Sequence, residues 1–478
     1  MSTTSTSLAS QRIASLLDEN SFVEIGALVS ARTTDFNMKQ NETPADGVVT
    51  GYGVIDGNLV YVYSQDVSVL NGSVGEMHAK KIANLYDLAL KTGAPVIGLI
   101  ESAGLRLQEA TDALNGFGQI YLKQTMASGV IPQITAIFGT CGGGLAIIPT
   151  LTDFTFMESI KAKLFVNAPN TLDGNEISKC DTSSAAYQSE TSGIVDVVAD
   201  EATIMTQIRQ LVDLLPASNE DDGAFDECTD DLNRASAELA NCVGDTSIAL
   251  STISDDSVFF EVKENYAKDM VTGFIKLNGT TVGAVANRTE VYDAEGKVAE
   301  KFDAVLSVKG ATKAAEFVNF CDAFDIPVLS LTNVAGYAAT KCAEKGISVA
   351  TAKLTYAFAN ANVPKVNVVI GKAYGSSYVA MNSKAIGADM TFAWPTAEIG
   401  SMDAKLAAKI MYEGQGADVI NEKAAEYAKL QTSAVSAAQR GYVDTIIDAE
   451  DTRKYVIGAF EMLFTKREDR PSKKHGTV

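Results

Sequence analysis

The chain has 478 residues, 46% of them hydrophobic and 21% charged, a soluble globular balance too long for one ordinary core, so two domains are expected. A net charge of −21 argues against a nucleic-acid partner, because duplex binding calls for a basic face. With only two histidines, His78 and His475, neither a Ser-His-Asp nor a Cys-His hydrolase is expected, and no His-ligated metal.

The start, Met1 to Ala9, is Ser/Thr-rich without a basic or apolar block, and reads as an unstructured tip rather than a secretory signal. No apolar stretch reaches the length of a membrane span. The six cysteines form no C-x-x-C pair, which fits a reducing, cytoplasmic setting better than a disulfide framework. Glu76 to Thr92 reads as a helix, followed by an apolar strand within Gly93 to Ile100. A second apolar run, Val130 to Phe138, ends in the small-residue turn Gly139 to Gly144. Short apolar strands alternating with helices predict an α/β fold with a buried sheet.

After a polar linker between Pro216 and Asp231 the pattern returns. Val49-Thr50-Gly51-Tyr52 and Ile55-Asp56-Gly57 reappear as Val271-Thr272-Gly273-Phe274 and Leu277-Asn278-Gly279, 222 positions on. Pro95, Gly104, Pro132 and Gly139 reappear as Pro327, Gly336, Pro364 and Gly371, 232 positions on. Ordered matches at near-constant offsets mark a duplicated domain, with halves at 1–225 and 240–478. Ala424 to Ala438 reads as a surface helix.

Two features recur in both halves: an apolar strand ending in Ala-Gly (Ala103-Gly104; Ala335-Gly336), and one ending in a small-residue turn (Gly139-Thr140-Cys141-Gly142-Gly143-Gly144; Gly371-Lys372-Ala373-Tyr374-Gly375-Ser376-Ser377). Such turns can aim two backbone N–H groups at one point, forming an oxyanion hole. Arg106 and the Lys80-Lys81 pair could meet phosphates, though exposed helix lysines are more often simply solvated. Cys141 lies beside the first turn but has no base near it in sequence. His78 reads as packing or a local hydrogen bond, and Trp394 as core.

Several segments resemble the carboxyltransferase family of propionyl-CoA and acetyl-CoA carboxylases, methylmalonyl-CoA decarboxylases and transcarboxylase. They are Asp46-Gly47-Val48-Val49-Thr50-Gly51-Tyr52-Gly53, Gly75-Glu76-Met77-His78-Ala79-Lys80-Lys81-Ile82, Arg106-Leu107-Gln108-Glu109, Lys372-Ala373-Tyr374-Gly375 and Phe392-Ala393-Trp394-Pro395-Thr396-Ala397-Glu398-Ile399. The resemblance runs from about Arg12 to His475. It implies two tandem crotonase-like domains, the first serving acyl-CoA and the second biotin. It implies carboxyl transfer between biotin and an acyl-CoA thioester, with Gly143-Gly144 holding the thioester oxygen and Ser376-Ser377 the biotin oxygen. Ser102, Ala103, Gly104, Arg106, Cys141 and Gly142 then belong to the CoA side. Ala335, Gly336, Tyr337, Gly375, Tyr378 and Val379 belong to the biotin side. The implied partners are a biotin carrier protein and either a biotin carboxylase or a membrane sodium-pump subunit, with a homo-oligomer, usually a hexamer. No metal is implied. Biotin must arrive on a separate carrier, since Asn37-Met38-Lys39-Gln40 matches only the Met-Lys of the biotinyl motif A-M-K-M.

The chain departs from the family at defined places. The second turn, GGA in the family, is Gly375-Ser376-Ser377, which is strained if a serine takes positive φ. The family's PGFLPG becomes Ala335-Gly336-Tyr337-Ala338-Ala339-Thr340, losing both prolines. Ser183 to Glu190 replaces an E-L-G-G-A stretch. Two other readings remain. One is a biotin-independent crotonase-type hydratase or hydrolase, for which Glu109 is the obvious candidate carboxylate nearby in sequence. The other is a catalytically decayed CoA-binding scaffold.

Overall fold

The structure, a computed structural model, describes residues 7–32, 42–221, 225, 227–293 and 295–468. The chain divides into two compact units, Met1–Ala224 and Phe225–Val478. In the first, β1 (Val23–Ile25), β2 (Val48–Ile55), β3 (Asn58–Gln65), β4 (Val96–Ile100), β5 (Gln133–Ile137), β6 (Phe154–Glu158) and β7 (Val197–Ala199) form one sheet in chain order. The pairs up to β3 are antiparallel and the later pairs parallel. In the second unit, β8 (Phe259–Val262), β9 (Met270–Leu277), β10 (Thr280–Asn287), β11 (Val328–Val334), β12 (Lys365–Tyr374), β13 (Met390–Ala393) and β14 (Thr445–Ile446) repeat that order and those senses. The duplication read in the sequence is therefore a duplication of topology.

Local chemistry explains the repeated elements. The β2–β3 hairpin turns through Asp56 (φ 48) and Gly57 (φ 86), and the β9–β10 hairpin through Asn278 (φ 51) and Gly279 (φ 75). Two positive φ values in a two-residue loop match the twist of the flanking strands, which is why Asp-Gly and Asn-Gly stand there. The offset then grows by ten because the second unit inserts a hairpin, Glu290–Tyr292 paired with Val298–Lys301, between β10 and β11. All five residues of β4 and of β5 are buried, as expected for parallel strands covered on both faces.

The Glu76–Thr92 helix forms over the predicted residues and ends on Gly93 in left-handed conformation. Its buried face, including Ala79, Ile82, Leu85, Tyr86 and Ala89, joins Val96 and Ile100 in the core. The second-unit counterpart is Val308–Ala323. Each helix carries a buried lysine at the same repeat position. Lys81 Nζ donates to the Ala45 and Val48 carbonyls. Lys313 Nζ donates to those of Lys263, Tyr266 and Met270. Lys81 is thus a carbonyl cap inside the fold, whereas Lys80 is exposed and paired with Glu76 four residues before it.

Two expectations are corrected. Ser7 caps the helix Leu8–Leu16 and Ala9 is buried in it, so order begins inside the expected tip; residues 1–6 lie outside the described ones. Ala424 to Ala438 is not one surface helix. The helix Ala417–Tyr427 runs into a wide turn and breaks at the extended Ser433, whose side chain caps Ala434–Gln439. Ala434, Ser436 and Ala437 of that last helix are buried. Trp394 lies in the core, its indole N–H donating to Thr452 Oγ1 at 3.0 Å. His475 and 37–40 lie outside the described residues. No helix among the described residues is long and apolar enough to cross a membrane.

Candidate active site

The two small-residue turns are built alike. After β5, Thr140–Gly142 forms a short strand parallel to Lys163–Phe165, and a Cβ on Gly142 would meet the Phe165 ring at 2.7 Å. Gly143 then takes φ 63 and a single helical turn, Gly143–Ala146, begins. In the second unit the end of β12 runs parallel to Glu398–Gly400. Gly375 takes φ 62 there and the short helix Gly375–Ala380 begins. Around Gly143 an added Cβ would meet nothing within 4 Å, so glycine is required by conformation rather than by space.

The repeat therefore matches Gly143 with Gly375, Gly144 with Ser376 and Leu145 with Ser377. The residues that the family motifs assign to the two oxygens, Gly143-Gly144 and Ser376-Ser377, are thus the first and second positions of one turn and the second and third of the other. The constant offset of 232 would have revealed this. The left-handed position falls on Gly375, and both serines keep negative φ, so the serine-for-glycine departure carries no backbone strain. The N–H groups of 143–145 and 375–377 open a helical turn, where no intrahelical acceptor exists for them.

The Ala-Gly strand ends also sit in matching frames. Gly104 O accepts from Val74 N at 2.8 Å, and Val74 O from Arg106 N at 2.9 Å. Gly336 O accepts from Leu306 N at 2.9 Å, and Leu306 O from Ala338 N at 3.0 Å. Ser102 Oγ is buried, donating to Gly72 O at 2.7 Å and accepting from Gly104 N at 3.0 Å. Ala103 is exposed; Ala335, Gly336 and Tyr337 are half-buried.

Of the side chains bonded at the turns, Tyr121 went unread in the sequence, and the partners of Tyr337 and Ser377 were not legible there. The Tyr121 hydroxyl donates to Gly144 O, and the Tyr337 hydroxyl donates to Ser376 Oγ at 2.9 Å. Ser377 is buried, its hydroxyl donating to Tyr374 O at 2.8 Å. Ser376 is exposed, Tyr378 half-buried and Val379 36% exposed. Burial raises the Tyr378 phenol to about 12. Cys141 is fully buried and burial pushes its thiol up, which leaves it protonated and no nucleophile.

Arg106 is not where a phosphate ligand would be. It is 2% exposed and bonded at every nitrogen. Nη1 donates to Asp46 Oδ1 at 2.6 Å and Glu109 Oε1 at 2.8 Å, Nη2 to the Ser73 and Asp46 carbonyls, and Nε to Ser73 Oγ. Its role is to tie the segment before the Glu76–Thr92 helix to the strand end at Gly104. Glu109 is likewise engaged: Oε1 by Arg106 and Oε2 by the N–H of Glu76 at 2.6 Å. The carboxylate that a hydratase reading needs is therefore a helix-capping acceptor.

His78 belongs to the same interior. Its Nδ1 is 3.0 Å from Asp46 O and its Nε2 3.3 Å from Gln65 Nε2. Burial pushes the imidazole down to about 3. The unfolded chain then binds the extra proton between about 6.5 and 3, so this contribution to stability is complete above 6.5 and lost as pH falls. Between pH 7 and pH 5 the urea midpoint should accordingly fall less in His78→Asn than in the native chain. Asp153, raised to about 7 by burial, slopes the other way in both proteins and cancels from the difference. Equal falls would contradict a buried neutral imidazole.

Among the described residues no group of three or more His, Cys, Asp or Glu is placed to hold a metal ion. The chain matches the family model described as carboxyl transferase domain over residues 4–478. It is 39% identical to the methylmalonyl-CoA decarboxylase subunit alpha of Veillonella parvula, covering 98% of this chain and 92% of that protein. It is 40% identical to the propionyl-CoA carboxylase beta chain of Roseobacter denitrificans, covering 98% and 93%. A crystal structure of the transcarboxylase 12S hexamer with methylmalonyl-coenzyme A and methylmalonic acid bound matches with a TM-score of 0.92. Its identity is 38%, and the match covers 98% of this chain and 92% of that one. The two tandem crotonase-like domains expected from the sequence agree with that match.

Proposed function

The chain belongs to the carboxyl transferase family, and on that premise we propose that it moves a carboxyl group between protein-bound biotin and an acyl-CoA thioester of the malonyl-, methylmalonyl- or propionyl-CoA type. It is a biotin-dependent carboxyltransferase of the propionyl-CoA carboxylase or methylmalonyl-CoA decarboxylase kind. The observation that carries the reading is the duplicated turn, with Gly143 and Gly375 in the same left-handed conformation on matching strand ends. Two oxygens gather negative charge during carboxyl transfer, and fixed N–H groups stabilise such charge best where it develops.

The first turn, at Gly143 and Gly144, holds the thioester oxygen, with Ser102, Ala103, Gly104 and Gly142 shaping that side. The second, at Ser376 and Ser377, holds the ureido oxygen. Its surroundings suit an uncharged ring: backbone N–H donors, the uncharged run Ala335–Ala339, and the exposed Val379. Bound there, biotin supplies the ureido nitrogen that takes or gives the carboxyl group. No side-chain base is assigned, because Cys141, Glu109 and His78 are protonated or engaged elsewhere. Biotin arrives on a separate carrier protein. The complex further includes a biotin carboxylase or a membrane sodium-pump subunit, and this chain assembles as a homo-oligomer, a hexamer. The location that goes with this is cytoplasmic, with membrane attachment only through such a partner.

The test is a turnover assay with methylmalonyl-, malonyl- or glutaconyl-CoA, with and without excess free biotin and a biotin carrier protein, read by mass spectrometry of the CoA ester. Carboxyl loss that depends on biotin is expected. Turnover independent of biotin would establish a crotonase-type hydratase or hydrolase instead. CoA binding without turnover in every mixture would establish a scaffold.

A further inference from the structure

Two departures from the family motifs meet in space. Where the family sequence has the phenylalanine of PGFLPG, this chain has Tyr337, and where it has the second glycine of GGA, it has Ser376. The Tyr337 hydroxyl donates to Ser376 Oγ at 2.9 Å across 39 residues of sequence. Neither family residue has the hydroxyl needed to form this bond. The same segment has lost both family prolines, now Ala335 and Ala339, and with them the fixed φ that limits an unbonded loop. The backbone frame holds Ala335, Gly336 and Ala338 through Ala304 and Leu306, but beyond Ala338 the next backbone bond within the segment is that of Glu344 to Thr340.

We propose that the Tyr337–Ser376 hydrogen bond is a positioning latch that fixes the wall of the biotin site against its oxyanion turn, in place of the stiffness the prolines supplied. The inference rests on the reading of the second turn as the biotin side. The Tyr337 and Ser376 hydroxyls act through each other and through the loop rather than on the reacting atoms, which the backbone N–H of Ser376 serves. The bond is partly exposed, so its loss should move the loop without unfolding the unit.

A double-mutant cycle of Tyr337→Phe and Ser376→Ala, with Ser376→Gly as the family-like control, tests this in the full chain. Hydrogen exchange followed by mass spectrometry reads the peptide spanning 335–345, and steady-state kinetics reads KM for free biotin and for the acyl-CoA separately. Each single variant should speed exchange in that peptide and raise the biotin KM roughly three- to tenfold, the size of one exposed hydrogen bond. The acyl-CoA KM should stay within about twofold, and the double variant should be no worse than either single one. Multiplying effects in the double variant, or unchanged exchange in the singles, would overturn the latch. A native chain whose turnover ignores biotin would overturn the reading of the site itself, an outcome visible before any variant is made.

Discussion

Replacing Arg106 by methionine is expected to lower stability by about 3–5 kcal/mol, the cost of leaving buried charges without their partner. Asp46 is fully buried and Glu109 nearly so, and both face the same guanidinium nitrogen. Burial already raises the Asp46 carboxyl, with Arg106 opposing the rise. Without the arginine that carboxyl rises further and takes up a proton on folding. A group whose folded pKa is raised contributes stability that is lost as pH rises through it, so the variant should lose less at pH 5 than at pH 8. Urea unfolding at the two pH values measures both parts. The comparison variant Lys80→Ala removes an exposed pair and should change stability by less than about 1 kcal/mol. A loss that small in Arg106→Met would contradict the buried cluster, and a loss of acyl-CoA affinity with unchanged stability would return Arg106 to the role of phosphate ligand.

Gly143→Ala should reduce carboxyl transfer by roughly 10²–10³-fold in kcat, the cost of disabling an oxyanion hole. The added methyl has open space, so the fold bears only the left-handed penalty of about 1–2 kcal/mol. The alanine relieves part of that penalty by rotating the peptide, which turns the following N–H groups away from their common target. Gly57→Ala is the matched control, because Gly57 is also left-handed with open space around it, in the β2–β3 hairpin. It should cost similar stability and leave kcat within about twofold. Kinetics at saturating ester, together with thermal unfolding of both variants, separates the two effects. Equal kcat losses in the two variants would mean that the turn at Gly143 holds no reacting oxygen.

The sequence by itself determined the duplicated α/β architecture, the strand and helix order, and the two turns, because those follow from local periodicity and turn chemistry. Asp56-Gly57 and Asn278-Gly279 specify their hairpins within two residues, and Glu76 to Thr92 carries its own helical face. The family motifs added the expectation that one turn serves acyl-CoA and the other biotin. Side-chain partners were not legible, because they come from residues far apart in the chain. Arg106 reads as a ligand for phosphate until Asp46, 60 residues away, closes over it, since a charge is placed by its partners and not by its motif. The offset of 232 aligns Gly143 with Gly375, but that both take left-handed conformation needed the backbone angles. The bond between Tyr337 and Ser376 joins a loop to the start of a short helix, and the two meet only once β11 and β12 lie side by side. Tertiary structure decided these points because long-range contacts are set by how the strands register.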